Sequence, residues 1–335
     1  MKNNVFIIIL SICIHACSDN KCNTISTISL DSIPTIEGNF LVHQIEDTLL
    51  YPRAINIFNK YIVITEPQQT KGIYTFWDIN SFKFLFSAGN IGGGPNEFIN
   101  PKAYYDYFAH TDSSFFILDS NIEKEVVIRG QELFITKRNP IIAPTSVNQM
   151  VRVGDDFYIM SGMTNGQKGE HISCVNGEYT FWGEYPYQEA KKEKRFIRNF
   201  KYTAGFEGNN VILDFYRNMN LVRIYDVSGT LIKEIFIDDN TDRNIENIEK
   251  NINRPFFCDI KNNREYIAVM YNKGKGQGYS QSQSKELQLW DWDGCLLKRI
   301  VFEHPFDCYT ISENNTIYAI NSNEPNTIYT YNIKL

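Results

Sequence analysis

Two stretches of the chain, Arg223-Ile-Tyr-Asp-Val-Ser-Gly229-Thr-Leu-Ile-Lys-Glu-Ile235 and Leu289-Trp-Asp-Trp-Asp-Gly294-Cys-Leu-Leu-Lys-Arg-Ile300, carry one pattern. In each, a strand with aromatic residues meets a polar turn containing glycine, and a second alternating strand leaves it. Such a stretch reads as a β-hairpin whose turn needs positive φ. Weaker copies stand at Phe76-Trp77-Asp78-Ile-Asn-Ser81-Phe-Lys-Phe84, Val127-Ile-Arg-Gly130-Gln-Glu-Leu-Phe134 and Cys174-Val-Asn-Gly177-Glu-Tyr-Thr-Phe181. The turn positions 81, 130, 177, 229 and 294 lie 49, 47, 52 and 65 residues apart. A period near 50 residues marks a repeat architecture.

A second marker keeps the same beat. Pro52, Pro101, Pro144, Pro255 and Pro305 are spaced 49, 43, 111 and 50 apart, and Arg195-Phe196-Ile197-Arg198 stands where the long gap lacks a proline. Proline removes a ladder donor, so it suits the loop that leads into a strand. Each unit then carries a strand read as its inner one, at 61–65, 114–118, 156–160, 210–215, 266–270 and 316–320. Six such strands mean six units. The last unit shows three strands up to Leu335, and residues 38–45 supply the fourth. Completing the last sheet with the first strand closes a ring and leaves only short, protected edges. The expected fold is therefore all-β, a six-bladed β-propeller whose last blade is closed by the N-terminal strand. Its rivals are a seven-bladed ring and a two-domain β-protein. Two insertions interrupt the beat: 187–195, with helix-forming composition, and 273–285, rich in glycine and Ser-Gln pairs.

The N-terminus has its own logic. Lys2, the apolar run 5–14 and small Ala16 before Cys17 make the three-part layout of a secretory signal. The run is too short to cross a bilayer, which needs roughly 20 apolar residues. Ile14-His15-Ala16-Cys17 resembles the bacterial lipobox. That resemblance implies that the Cys17 thiol receives diacylglycerol and the new amino terminus is acylated. Two or more acyl chains hold a protein stably at a membrane. Ser18, where many inner-membrane lipoproteins carry Asp, implies the outer membrane, facing the periplasm or the cell surface. The expected organisation is a signal peptide at 1–16, a lipidated polar tether at 17–35 and the propeller at 36–335. The alternative is a plain secreted protein with a chance cysteine.

A net charge of −6 gives no electrostatic footprint for nucleic acid, which needs a basic face. Of seven cysteines, Cys22, Cys174, Cys258, Cys295 and Cys308 remain after processing and lipidation. No CxxC or Cys/His pair has zinc spacing, and buried small hydrophobes are the expected role. Cys258 and Cys308 each follow a proline by three residues; placement in adjacent blades makes a disulfide conceivable, equivalent positions in neighbouring blades generally stand too far apart for one, and the sequence leaves the pairing open.

Gly89-Asn-Ile-Gly92-Gly-Gly94-Pro95-Asn-Glu97-Phe98 resembles the G-x-x-G-x-G-P-x-E-F segment of bacterial six-bladed propeller proteins, with Asn96 where members commonly carry Gly. With the lipobox and Tyr185-Pro186-Tyr187, the mature chain resembles the TolB-like six-bladed β-propeller lipoproteins of Bacteroides relatives, the BF-type uncharacterised lipoproteins. The resemblance implies a fold and no agreed activity. A phosphate-binding reading of the glycines fails, since no Lys-Ser/Thr follows and the next element is a strand. They read as a tight connection between blades.

Propeller sites commonly sit in a funnel built by the loops that lead into the inner strands. The polar candidates there are Arg53, Glu97, Lys102, Arg198, Arg254 and His304, a set suited to an anionic group. The competing reading is solvated charge around a water-filled channel. Asp119, Asp214 and Glu66 at strand ends could mimic the metal ligands of propeller lactonases and lyases, but strand-end acids are ordinary turn residues. No Gly-x-Ser-x-Gly elbow occurs, and no two histidines lie at metal-ligand spacing. No metal, catalytic residue or cofactor is assigned. The expectation is a non-enzymatic binding or scaffold propeller, tied to the membrane by lipid, with an envelope protein or glycan as partner. A metal-dependent propeller hydrolase or lyase is the alternative.

Overall fold

The computed structural model describes residues 24–67, 72–101, 108–141, 147–162, 169–187, 195–238, 255–272 and 285–334. The signal, Cys17 and Cys22, Lys102, Pro144, Arg254 and nearly all of both insertions lie outside them. The chain opens with β1 (Thr24–Ile28), β2 (Thr35–Gly38) and β3 (Leu41–Gln44). Six sheets follow, one for each repeat. Blade A contains β4 (Ala54–Phe58), β5 (Tyr61–Thr65), β6 (Tyr74–Asp78) and β7 (Phe84–Ala88). Blade B contains β8 (Phe108–His110), β9 (Phe115–Asp119), β10 (Ile122–Arg129) and β11 (Glu132–Pro140). Blade C contains β12 (Val147–Gly154), β13 (Phe157–Gly162), β14 (His171–Val175) and β15 (Glu178–Trp182). The helical turn α1 (Arg195–Arg198) leads into blade D, which contains β16 (Lys201–Ala204), β17 (Val211–Tyr216), β18 (Leu221–Asp226) and β19 (Leu231–Ile237). Blade E contains β20 (Phe257–Asn262), β21 (Ile267–Tyr271), β22 (Lys285–Trp290) and β23 (Leu296–Phe302). Blade F contains β24 (Cys308–Ile311), β25 (Thr316–Ile320) and β26 (Thr327–Asn332).

The ring closes as expected. Blade F takes β3 as its fourth strand, antiparallel to β26, with Leu41 opposite Thr330 and Gln44 opposite Thr327. The radial order differs from the expectation in one respect. The first strand of each blade is innermost: β12 meets β16, β16 meets β20, β20 meets β24 and β24 meets β4 around the axis. The strands read from sequence as inner ones are therefore second from the axis. Both are apolar on the faces that meet neighbouring blades, so local periodicity does not distinguish their radius.

The five hairpins first recognised by their turns join the third and fourth strands of blades A to E. Gly294 sits at φ +77°, and a Cβ there would collide with the Cδ1 atoms of Ile224 and Ile235 in the adjacent blade. Glycine is required twice over, once for backbone and once for space. In three of these turns an aspartate closes the loop. Asp78 accepts the Ser81 N–H at 2.8 Å, Asp226 that of Thr230 at 2.9 Å, and Asp291 that of Cys295 at 2.7 Å. Between blades the core is aromatic and aliphatic. Trp290, Phe215 and Phe257 pack fully buried where D meets E, and Trp77 with Ile320 and Ile328 where A meets F. Each such side chain contributes roughly 1.5–3 kcal/mol by leaving water.

The expected tether at 17–35 is shorter than read. β1 pairs in parallel with β19, Thr24 opposite Lys233 and Ile28 opposite Ile237, and β2 pairs in parallel with β23. Leu30 is wholly buried between them; its N–H donates to Asp238 at 2.8 Å and its carbonyl accepts from Arg299 at 2.9 Å. The β-branched run in this segment satisfies the open outer edges of blades D and E, which would otherwise expose unpaired backbone groups. Blades A, B and C end on their own fourth strands.

Candidate functional site

Six innermost strands, with their edges toward the axis, leave a central channel of about 880 Å³. It opens among the turns that join first and second strands, where Asn59, Asp112, Glu207, Arg264 and Glu313 stand, and it reaches Phe200 and Arg217 at the far end of blade D. This reverses the expected geometry, in which the loops between blades built the funnel. The wall mixes both signs of charge with amides, hydroxyls and aromatic rings, among them Gln149, Thr203, Phe108 and Tyr202. Among the described residues no all-cationic ring assembles in it.

Two charged residues stand on the channel wall in blade E. Asp259 and Lys261 are alternate residues of β20, pairing in regular register with Met270 and Ala268, so they share one side of the strand. A bulge at Phe257/Asp259 precedes them. Both are reached from the channel yet surrounded by protein. Burial pushes the Asp259 carboxyl up to about 7, although the Ile260 N–H, 2.8 Å away, partly offsets it. Burial brings the Lys261 amine down to about 8. On the neighbouring strand the Cys308 thiol is pushed up to about 12, by burial first and the Asp259 charge second. Its Sγ donates to the Arg53 carbonyl at 3.2 Å. Cys258 and Cys308 are both free, as are Cys174 and Cys295.

A second constellation lies between blades C and D, behind the channel wall at Thr203. Glu170, His171 and Asp214 are buried with potential ligand atoms within 4.8 Å of one another. The cation in their midst is Lys201: its Nζ lies 2.7 Å from Asp214 Oδ2, 2.5 Å from His171 Nε2 and 3.1 Å from Glu170 Oε1. Protein groups fill the carboxylates' remaining positions, while His171 Nδ1 is buried without a hydrogen-bond partner. Thr203 donates to Asp214 at 2.7 Å, Tyr225 to Glu170 at 3.0 Å, and Tyr216 to Glu170, while Arg223 reaches Glu170 at 3.4 Å and Glu234 at 2.8 Å. Burial opposes ionisation of Asp214, but the charges of Lys201 and His171 outweigh it and hold the carboxyl well below its usual range. Burial, then the Lys201 charge, lowers the His171 imidazole. With an ammonium already seated among them, these residues do not fit a metal ion; they form an internal ion network.

The positions expected from sequence have other duties. Glu97 receives the Gly94 N–H at 2.6 Å, and side chains at Gly92 or Gly94 would collide with its carboxylate, so the glycine segment folds around this one residue. Buried Lys124 bonds the Glu97 carbonyl at 2.8 Å and pairs with Asp119, which also accepts the N–H groups of Ile99 and Asn100. Glu66 likewise accepts the Leu50 N–H at 2.7 Å. These strand-end acids pin the loops between blades. Arg53 stacks on the Tyr51 ring at 3.8 Å, Arg198 lies 5.5 Å from the Tyr187 ring, and His304 pairs with Glu324 at 3.1 Å. None of Arg53, Glu97, Arg198 and His304 lines the channel, and Lys102 and Arg254 fall outside the described residues. The residues missed, Asp259 and Lys261, had one available signal: charges at alternate positions in a strand just after Pro255.

No curated protein matches the chain in sequence. Among solved structures, a member of the DUF4221 family from Bacteroides vulgatus is similar at a TM-score of 0.58 and 10% identity, with 90% of this chain and 98% of that one covered. A streptogramin B lyase structure gives a TM-score of 0.45 at 10% identity, covering 88% and 98%. At such identities the likeness is one of fold. The TolB-like 6-blade propeller-like family matches over residues 39–314, which takes in blades A to E and, of blade F, β24 and its closing strand β3. The chain belongs to that TolB-like six-bladed propeller family.

Proposed function

We propose that this protein is a non-enzymatic binding propeller, held at the outer membrane by lipid on Cys17, that takes its ligand in the central channel. The observation that carries the reading is the channel itself: all six blades contribute to a cavity of about 880 Å³, within the range of small-molecule sites. Its wall offers hydrogen-bonding groups of both polarities beside aromatic faces, which suits a polar organic ligand from the envelope, free or carried on a glycan or protein. The metal-dependent hydrolase or lyase reading is weakened by Lys201, which neutralises the acids and histidine that gather most closely.

The strap supports a short leash. Because β1 runs parallel to β19, Thr24 lies at the end of blade D where the turn between third and fourth strands stands. Only six residues lie between it and Cys17, a span of seven chain steps. At full extension that is roughly 24 Å, so the lipid holds blade D close to the bilayer, with the channel mouth among the turns on the same side.

Two measurements test the reading. Full-length protein is expected to incorporate labelled fatty acid and remain in the membrane fraction, and Cys17→Ala is expected to lose both; retention of label by the variant overturns the anchor. Metal analysis of the full chain is expected to show no stoichiometric calcium or zinc. Stoichiometric metal would favour the enzyme.

A further inference from the structure

We propose that Lys261 is a carbonyl-capturing amine: standing on the wall of the central channel with the Asp259 carboxyl on the same side of β20, it forms a reversible imine with an aldehyde or ketone ligand. The inference rests on the reading of the channel as the binding site and names the ligand chemistry it would take.

Three features combine. Both residues line a cavity large enough for a small organic molecule and connected to solvent. Alternate residues of a strand stand about 6.8 Å apart, so the flexible lysine and the shorter aspartate can address one group from neighbouring points. The surroundings favour the forms the chemistry needs, since burial leaves part of the Lys261 population neutral near pH 8 and part of the Asp259 population protonated near pH 7. Of the titratable groups around the pair, Cys308 on β24 acts on Lys261, and Cys308 and Tyr202 on β16 both feel the Asp259 charge; the thiol of Cys308, itself flanked by Asp307 and Arg53, stays protonated in this range.

The step balances without an external oxidant or reductant. The Lys261 Nζ lone pair attacks the carbonyl carbon, the C=O π bond opens, and one of the two nitrogen protons passes to the oxygen to give a carbinolamine. The Asp259 carboxyl supplies the proton that leaves with the hydroxyl as water. The nitrogen then loses its remaining proton, which returns to Asp259. One C=O bond is lost, one C=N bond forms and one water is released. Asp259 acts as proton donor and acceptor, the role a carboxyl titrating near neutrality fills best.

The test is reductive trapping on the full-length protein with benzaldehyde and cyanoborohydride at pH 7.5, with peptide mapping of the labelled lysines. Lys261 is expected to be modified at least about tenfold faster than the exposed lysines, because a neutral amine reacts and an ammonium does not. Lys261→Arg is expected to abolish the fast site. Asp259→Asn is expected to slow labelling while leaving its position unchanged, an effect that mere accessibility would not produce. Labelling of Lys261 no faster than that of surface lysines overturns the inference, as does an unchanged rate in Asp259→Asn. A second variant separates this from failure of the channel reading. If Lys261→Cys reacts readily with iodoacetamide while native Lys261 traps no aldehyde, the channel admits small molecules and the imine alone is wrong. If neither reacts, both fall.

Discussion

Two buried charge clusters in this ring have opposite characters. Between blades C and D, Lys201 sits among Asp214, His171 and Glu170, with hydroxyls and a guanidinium also bonding the two carboxylates. In blade E, Asp259 and Lys261 are displaced from their ordinary protonation range chiefly by burial. Where opposite charges outweigh desolvation the ionised form favours the folded state, and where burial outweighs them it penalises it. The comparison teaches where the fold is secured by charge and where it carries a stability cost. A group that lowers stability while lining a cavity is a functional candidate on physical grounds.

Substitution is the sharpest way to break this contrast. Lys201→Met leaves three buried acceptors without their cation and is expected to lose about 3–5 kcal/mol of stability in urea unfolding. A loss near zero would mean that the network is not held as described. Tyr216→Phe removes one donor to Glu170 and is expected to cost about 1–3 kcal/mol by the same measurement.

The channel pair is expected to respond with the opposite sign. Asp259→Asn removes a carboxyl that the folded state prefers protonated, so at pH 8 it is expected to stabilise by about 1 kcal/mol. Its native pKa is raised to about 7, so the unfolded chain ionises first and the penalty grows from pH 4 to 7. The gain should therefore disappear near pH 4, which unfolding at the two pH values checks. Asp214 runs the other way. Its folded carboxyl is held low, so its contribution is complete above about pH 4 and is lost as pH falls toward the folded value. His171, lowered by burial, adds a loss of stability that begins below about pH 6.5. An acid unfolding series is expected to show both slopes, and Asp214→Asn to flatten the lower one.

Local chemistry made much of the fold readable. The turns at Gly229 and Gly294 announce themselves through short-range φ requirements, and the strand at 38–45 was legible as the closing partner because the last unit lacked one. Radial position was not legible, since β4 and β5 carry similar apolar patterns and differ only in distance from the axis. The strap was visible in principle: Thr24-Ile-Ser-Thr-Ile28 is a β-branched run, but its parallel partner lies more than two hundred residues away. The site suffered most. Lys201 meets His171 across 30 residues and Asp214 across 13, contacts that no local spacing rule anticipates. Of the polar residues that sequence placed at a funnel, Glu97 instead pins the loop between blades A and B, and Arg53, Arg198 and His304 stand off the channel.

The closing strand also dictates when this protein can be finished. His43 Nε2 lies 2.8 Å from Thr330 Oγ1, a contact that spans 287 residues of chain. The four consecutive strands of each of blades A to E come from contiguous sequence and can pair as the chain emerges, each with low loop-closure cost. Blade F cannot, because its outer strand is made near the beginning and its other three at the end. Until β26 appears, β3 lacks its antiparallel partner, and the nascent ring has two open flanks. Ring closure is thus a late, slow step of high contact order, and the interval before it is when the chain is most exposed to aggregation.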